Sequence, residues 1–191
     1  MLHPHFEAAR ETKIYQGLAI NPRLIGKLKP ETLPSLLSPV PSRYMPAPAV
    51  YYNVEVVQFW RGHKEPLQPY PLHWVIYIPT SPGIGNTYHI QGNTDSYTVD
   101  FRRNQPYLNP DEWRGSFTVG KVAAHQLTLL ERHLASVPIT RHDLRWNCQS
   151  WVWEGLRHLR HKGFNISWEV RLSYLQTQMY CLLEDWEYGR I

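Results

Sequence analysis

The sequence predicts an α+β domain in which an antiparallel sheet of about five strands packs against helices. Two observations lead to this prediction. Segments rich in β-branched and aromatic residues, separated by Gly, Pro, Asn and Asp, occupy the middle of the chain. Apolar residues then recur at helical spacing in the last third. A chain of 191 residues can bury one sizeable core, so we expect a single domain.

The first quarter of the chain is predicted to be a proline-rich arm. Seven X-Pro steps fall between Asn21 and Pro48. Each proline removes a backbone donor and disfavours helix at the residue before it. We therefore assign residues 1–49 to an N-terminal arm and residues 50–191 to the folded domain.

Five segments of the domain are predicted as strands. They are residues 51–60, 73–78, 87–91, 96–102 and 117–122, with turn-forming residues between them. Residues 64–71 contain three prolines and are predicted to form a loop. Because short turns join most of the strands, we expect the sheet to be an antiparallel meander.

Three helices are predicted after these strands. Apolar side chains recur at helical spacing in residues 123–136. A second helix begins near Asn147, whose side chain can cap its first turn, and ends at Gly163, which suits the left-handed conformation after a helix. Residues 166–172 are expected to be extended, and residues 173–187 to form the third helix.

The composition limits the cellular compartment and the binding partners that we expect for this protein. Twenty Lys and Arg against 16 Asp and Glu give a formal net charge of +4. The one basic cluster, residues 157–162, is placed to complement the negative end of a helix, so nucleic acid is not an expected partner. No segment approaches the roughly 18 apolar residues of a membrane span. Residues 1–10 do not resemble a signal peptide, and with only two cysteines we expect a reduced, cytoplasmic protein.

Cys148 is the candidate nucleophile, because it lies in the first turn of a predicted helix. Free backbone N–H groups and the positive end of the helix dipole favour a thiolate there. A base within hydrogen-bond reach is also required, with a further group to orient it. His73 begins one predicted strand and His89 lies near the end of the next. Pairing of these strands as a hairpin would bring the two histidines close together.

Three motifs carry a resemblance to a known family. They are HWVIYI at residues 73–78, the histidine at position 89, and NCQSWV at residues 147–152. Together they resemble the circularly permuted papain-like enzymes related to lecithin:retinol acyltransferase and the phospholipase/acyltransferase group. The resemblance covers roughly residues 70–163. The chain is still more similar to an uncharacterised set of fungal proteins with a Trp-Asn-Cys-x-x-Trp-Val helix.

The resemblance implies a permuted papain-like core and a cofactor-free acyl hydrolase or acyltransferase. It assigns Cys148 as nucleophile, His73 as general base and acid, and His89 as the residue that orients His73. The substrate would be a small molecule or peptide with an ester, amide or thioester carbonyl. Residues 79–87 are longer than the tight glycine turn of the acyltransferases, which predicts a different mouth to the cleft.

The oxyanion hole has several candidate donors. The backbone N–H of Cys148 is the best placed, because it lies at a helix start and points toward the attacked carbonyl. Gln149, Asn147 and Trp74 are further candidates for the oxyanion hole or the cleft, although capping is the favoured role for Asn147. Cys181, within an apolar segment, is expected to pack as a small hydrophobic residue.

Other functions stay open at this point. A peptidase or isopeptidase could use the same core, and an extended cleft would favour it over a closed apolar pocket. A non-catalytic binding module could also retain the fold. No metal site is expected, because only His158 and His161 share a short spacing and no Cys-x-x-Cys pair accompanies them.

Overall fold

The computed structural model describes residues 48–66, 68–69, 71–106 and 110–191. The arm predicted for residues 1–49 therefore lies almost wholly outside the described residues. Within the described part, none of the helices is both long enough and apolar enough to cross a bilayer.

The described residues form an α+β structure with an antiparallel sheet, as predicted. The strands are β1 (Tyr51–Phe59), β2 (His63–Glu65), β3 (Gln68–Pro69), β4 (His73–Ser81), β5 (Ile84–Gln91), β6 (Thr98–Gln105), β7 (Trp113–Ala123) and β8 (Asn165–Ile166). Six of them form one open sheet in the order β6-β5-β4-β1-β7-β8, and all neighbours are antiparallel. The other two, β2 and β3, form a separate hairpin.

The predicted meander is only partly correct. Strands β4, β5 and β6 follow one another across the sheet, but β7 returns to the far side of β1. The reason lies in β1, which is apolar on both faces. Val54 and Val56 are buried in the main core, while Val57 and Phe59 are buried in a second cluster on the other face. A strand buried on both faces is best placed inside a sheet, with a neighbour on each edge.

Two local predictions also need correction. Residues 64–71 are not a plain loop, because they contain most of the β2–β3 hairpin; a two-stranded ribbon tolerates Pro69 at its edge. Strand β4 does not end at Ile78 but continues through Pro79 to Ser81. The turn after it lies at the opposite end of the hairpin from His73, so residues 79–87 do not border the Cys148 region as the longer loop suggested.

The three predicted helices are present as α1 (Leu127–Ala135), α2 (Cys148–His161) and α3 (Leu172–Glu187). One turn of 3₁₀ helix, Ala124–Gln126, precedes α1. Helix α2 packs on β4 and β5, α1 packs on α2, and α3 packs on β7. Only the two residues of β8 are extended where a longer segment was expected near residues 166–172.

Both ends of α2 form as predicted. The Oδ1 of Asn147 accepts a hydrogen bond of 2.8 Å from the backbone N–H of Gln149, and the Oγ of Ser150 accepts one of 3.3 Å from the N–H of Asn147. At the other end Gly163 has a φ of 84°, which a residue with a side chain rarely adopts. These caps define where Cys148 lies, one residue inside the helix.

Alternation along β4 decides which face of the sheet each side chain occupies. Trp74 and Ile76 belong to the core under α2, whereas Val75 belongs to the cluster on the other face. His73 therefore shares the face of Val75, and His89 on β5 shares it as well, because its neighbour Tyr88 is in the core under α2. Cys148 begins the helix that packs on the opposite face of the sheet. Its side chain can therefore approach His73 only at the end of the sheet where β4 starts.

Candidate active site

His73 and His89 are in direct contact. The Nε2 of His73 lies 2.9 Å from the Nδ1 of His89, and the rings are 5.0 Å apart at an angle of 73°. The other nitrogen of His89, Nε2, lies 3.2 Å from the Oδ2 of Asp100. Strand register produces this second contact, because His89 on β5 is paired directly with Asp100 on β6. A continuous chain of side chains thus runs His73, His89, Asp100.

Asp100 is held as a carboxylate by Arg102. The Nε and the second guanidinium nitrogen of Arg102 lie 2.9 and 2.8 Å from the Oδ2 of Asp100. Burial by itself would raise the pKa of Asp100. The hydrogen bond and charge of Arg102, together with the interaction with His89, outweigh that effect, so the pKa of Asp100 is lowered. Asp100 is therefore an acceptor of hydrogen bonds at neutral pH.

Both histidines are neutral in this environment. The pKa of His73 is lowered to about 3, mainly by burial, with smaller contributions from the neighbouring His89 and from the charge of Arg61. Burial also lowers the pKa of His89, although Asp100 opposes that shift. A neutral imidazole carries one proton, so the position of that proton follows from the contacts.

Asp100 sets the tautomers along the chain. Its carboxylate accepts from the Nε2–H of His89, which leaves the Nδ1 of His89 as an acceptor. That nitrogen accepts from the Nε2–H of His73. The Nδ1 of His73 is then the nitrogen with a free lone pair, and it is the one that can take a proton.

Cys148 is 4% exposed, and burial raises the pKa of its thiol. Hydrogen bonds from the backbone N–H groups of Trp74 and Gln149, and the charge of Arg61, oppose this without reversing it. The helix start was expected to lower the pKa, but desolvation of the sulfur outweighs the dipole here. The resting pair is therefore a thiol and a neutral imidazole, Cys148 and His73.

Cys148 lies between two cavities. The first, which we call the His73 cavity, has a volume of about 380 Å³ and is also lined by His73 and Glu112. The second, the Trp146 cavity, has a volume of about 420 Å³ and is also lined by Trp146 and Asn147. Four residues line both: Arg61, Gly92, Tyr97 and Cys148. Cys148 thus lies where two halves of a cleft meet.

The remaining sequence candidates occupy other places. Asn147 lines the Trp146 cavity, but its Oδ1 is engaged in the cap. The Nε2 of Gln149 donates a hydrogen bond of 3.1 Å to the carbonyl oxygen of Leu72. Gln149 and Trp74 both line a third cavity of about 210 Å³, away from Cys148. The indole N–H of Trp74 is buried and has no hydrogen-bond partner among the described residues.

Sequence reasoning missed three residues of the site. Asp100 and Arg102 alternate with Phe101 on β6, so their shared face was visible in the pattern, but their contact with His89 depends on the β5–β6 register. Tyr97 lines both cavities beside Cys148. Burial is the main cause that raises the pKa of Tyr97, and the interaction with Cys148 adds to the shift.

No group of three or more His, Cys, Asp or Glu side chains in the described residues is arranged to hold a metal ion. Cys181 is exposed on α3, not packed as expected, because the helix presents that position to solvent.

One protein-family model matches the chain, over residues 63–165, and its description is a family of unknown function, DUF6540. This stretch contains His73, His89, Asp100 and Cys148. No curated protein and no solved structure matches the chain.

Proposed function

We propose that this chain, which belongs to the DUF6540 family of unknown function, is a thiol-dependent acyl hydrolase or acyltransferase with a permuted papain-like core. One observation carries the proposal. The hydrogen-bonded chain Asp100, His89, His73 ends in the cavity that Cys148 lines. The order His, His, Cys along the sequence, with the cysteine starting a helix that packs on an antiparallel sheet, supports the permuted papain-like interpretation.

Proton transfer accompanies attack in this mechanism. The Nδ1 of His73 takes the thiol proton while the sulfur of Cys148 forms a bond to the carbonyl carbon of an ester, amide or thioester. The imidazolium that forms donates through Nε2 to His89, whose other nitrogen is bonded to Asp100, so the new charge is balanced. His73 then returns the proton from Nδ1 to the leaving group as the carbonyl re-forms. Water or an acceptor alcohol or amine releases the acyl group from Cys148.

The oxyanion of the tetrahedral intermediate has two suitable donors. The backbone N–H of Cys148 lies at the start of α2, where it has no partner within the helix. The second is the hydroxyl of Tyr97, because Tyr97 lines both cavities together with Cys148. The side chain of Gln149 is less suitable, because its amide nitrogen donates to Leu72.

A peptidase or isopeptidase activity is the second candidate, and the shape of the cleft favours it. The His73 cavity and the Trp146 cavity lie on either side of Cys148. A substrate that extends in both directions from its scissile bond, as a peptide does, could fill both. A small ester would need only one of them.

The test is acyl-enzyme formation with p-nitrophenyl acetate, followed by intact-mass detection of one acetyl group. We expect the wild-type chain to release nitrophenol in a burst and to carry the acetyl group on Cys148. Cys148→Ala should abolish the adduct, and His73→Asn should slow its formation by about 10²-fold or more. Cys181→Ser is the matched control, because it removes the exposed thiol and leaves the site intact.

Acetylation that is equal at Cys148 and Cys181, or unchanged by His73→Asn in a folded variant, would rule out the catalytic proposal. The chain would then be better described as a binding module with a cleft. If an adduct does form, a panel of fluorogenic peptide amides of different sequence separates the two candidate activities, since rates that depend on the peptide sequence on both sides of the scissile bond would favour a peptidase.

A further inference from the structure

We infer that the third cavity, beside the first turn of α2, is a second binding site for a small neutral ligand that carries a primary carboxamide. This inference does not depend on the proposed function. The cavity has a volume of about 210 Å³. It lies between α2 and α3 against the sheet, because its lining includes Gln58 from β1, Trp74 from β4, Gln149 from α2 and Gln176 from α3.

The lining of the third cavity favours a neutral ligand with an apolar body. None of the described residues that line it is acidic or basic. A charged ligand would therefore lose its hydration without gaining a counter-charge. Leucine and methionine side chains supply apolar surface, from Leu72, Met179 and Leu183. A cavity of ~150 Å³ can hold benzene in a protein interior, so one six-membered ring with a small substituent suits the available space.

Trp74 provides a donor that needs an acceptor. It is 3% exposed, and its indole N–H is buried without a hydrogen-bond partner among the described residues. A buried tryptophan usually has a partner for this group, since an unpaired buried donor is costly. The cavity that Trp74 lines is a place where a ligand can supply the acceptor.

Two glutamines provide acceptors. Gln58 is 1% exposed, and its Nε2 donates to two backbone carbonyl oxygens, one on β7 at 2.8 Å and one on α3 at 2.7 Å. Both N–H groups of the amide are thereby used, so Gln58 offers a ligand its Oε1. Strand register pairs Gln58 directly with Trp74, which makes their side chains neighbours on one face of the sheet. The Nε2 of Gln149 is likewise engaged in a hydrogen bond, so Gln149 also offers its Oε1.

A primary carboxamide matches this set of groups. Its oxygen accepts from the indole N–H of Trp74, and its two N–H groups donate to the Oε1 atoms of Gln58 and Gln149. A ketone of the same shape has the acceptor but lacks both donors. A carboxylate lacks the donors and adds a charge that the lining does not balance. Benzamide combines the carboxamide with a single apolar ring.

Three matched compounds test the ligand class by NMR of the ¹⁵N-labelled indole groups. The cross-peak of Trp74 is assigned as the one that is lost in Trp74→Phe. We expect benzamide to shift this peak saturably, with a dissociation constant on the order of 1 mM. Acetophenone, in which a methyl group replaces the NH₂, should bind about tenfold more weakly. Benzoate should leave the peak unshifted.

Substitutions assign the binding to the third cavity. Leu183→Trp fills the cavity from α3 without altering its polar groups, and it should abolish the shift caused by benzamide. Leu129→Trp is the matched control, because Leu129 is 42% exposed on α1 and does not line this cavity. Gln149→Met, which removes one acceptor, should weaken benzamide and leave acetophenone unchanged. The other indole peaks report whether each variant is folded.

Three results would overturn the inference. A Trp74 peak that benzamide does not move in the folded wild-type chain would mean that the cavity takes only water. Acetophenone that binds as tightly as benzamide would contradict the carboxamide as the recognised group. A benzamide shift that persists in Leu183→Trp would place the ligand elsewhere. Because no turnover is measured, each result is independent of whether Cys148 is catalytic.

Discussion

The Nε2 of Gln149 lies 3.1 Å from the carbonyl oxygen of Leu72 and donates a hydrogen bond to it. Gln149 follows Cys148 in the first turn of α2, and Leu72 precedes His73 at the start of β4. This one contact therefore joins the two segments that carry the proposed nucleophile and its base. Apolar packing holds the rest of α2 on the sheet, and it has no comparable directional preference.

Gln149→Met should impair acylation more than it impairs folding. Methionine keeps the length of the side chain but loses the amide donor, so the helix start can shift relative to β4. We expect a stability loss of about 1 kcal/mol and a fall of at least about tenfold in the acetylation rate of Cys148. Gln176→Met is the matched control, because Gln176 lines the same third cavity from α3. Equal effects of the two substitutions on the rate would contradict a positioning role.

Asp100→Asn should disturb the tautomers of both histidines. The amide can donate to His89 as well as accept, and it cannot balance the imidazolium that forms during attack. We expect the acetylation rate to fall by on the order of 10²-fold, while circular dichroism stays unchanged. Asp95→Asn serves as control, because Asp95 also pairs with a histidine, His142, at the exposed surface. A wild-type rate in Asp100→Asn would show that the carboxylate has no part in the reaction.

Burial of His73 should make stability fall in mild acid. The pKa of His73 is lowered from 6.5 to about 3 in the folded chain. Between those values the unfolded chain binds a proton that the folded chain does not, so unfolding becomes easier as pH falls through this interval. Each unit of pKa difference is worth about 1.4 kcal/mol, which amounts to a few kcal/mol overall.

Urea unfolding across this pH range measures that effect. His73→Asn should flatten the dependence, and His142→Asn, at an exposed position, should leave it as in the wild type. An equally steep dependence in His73→Asn would mean that the titration of His73 does not contribute. The lowered pKa of His89 acts in the same direction, so part of the slope should remain.

Removal of the α2 cap should reduce stability by a modest amount. Asn147→Ala leaves the N–H of Gln149 without its acceptor, and we expect a cost of about 1 kcal/mol in the free energy of unfolding. Asn147→Ser should recover most of it, because a serine hydroxyl also caps well. Chemical denaturation distinguishes the two variants. If serine were no better than alanine, the side chain would be acting through something other than the cap.

Local patterns in the sequence determined most of the secondary structure. The alternation of aromatic and β-branched residues predicted β1, the first part of β4 and the second part of β5. The cap at Asn147 and the left-handed Gly163 predicted both ends of α2. Each of these features depends on residues that are close to one another in the sequence. The return of β7 to β1 was missed because these two strands pair across a long stretch of chain. The β2–β3 hairpin is local, and it was missed because the prolines of residues 64–71 indicated a loop.

The sequence by itself thus determined an antiparallel α+β fold and the three residues of interest, His73, His89 and Cys148. Only the tertiary structure decided which side chains they contact and in which direction their pKa values are shifted. The β5–β6 register placed Asp100 against His89, and the end of β1 placed Arg61 in the cleft. Burial reversed the pKa shift that the helix start predicted for Cys148. Register and desolvation both arise from contacts between distant segments, and a linear pattern of residues does not encode those contacts directly.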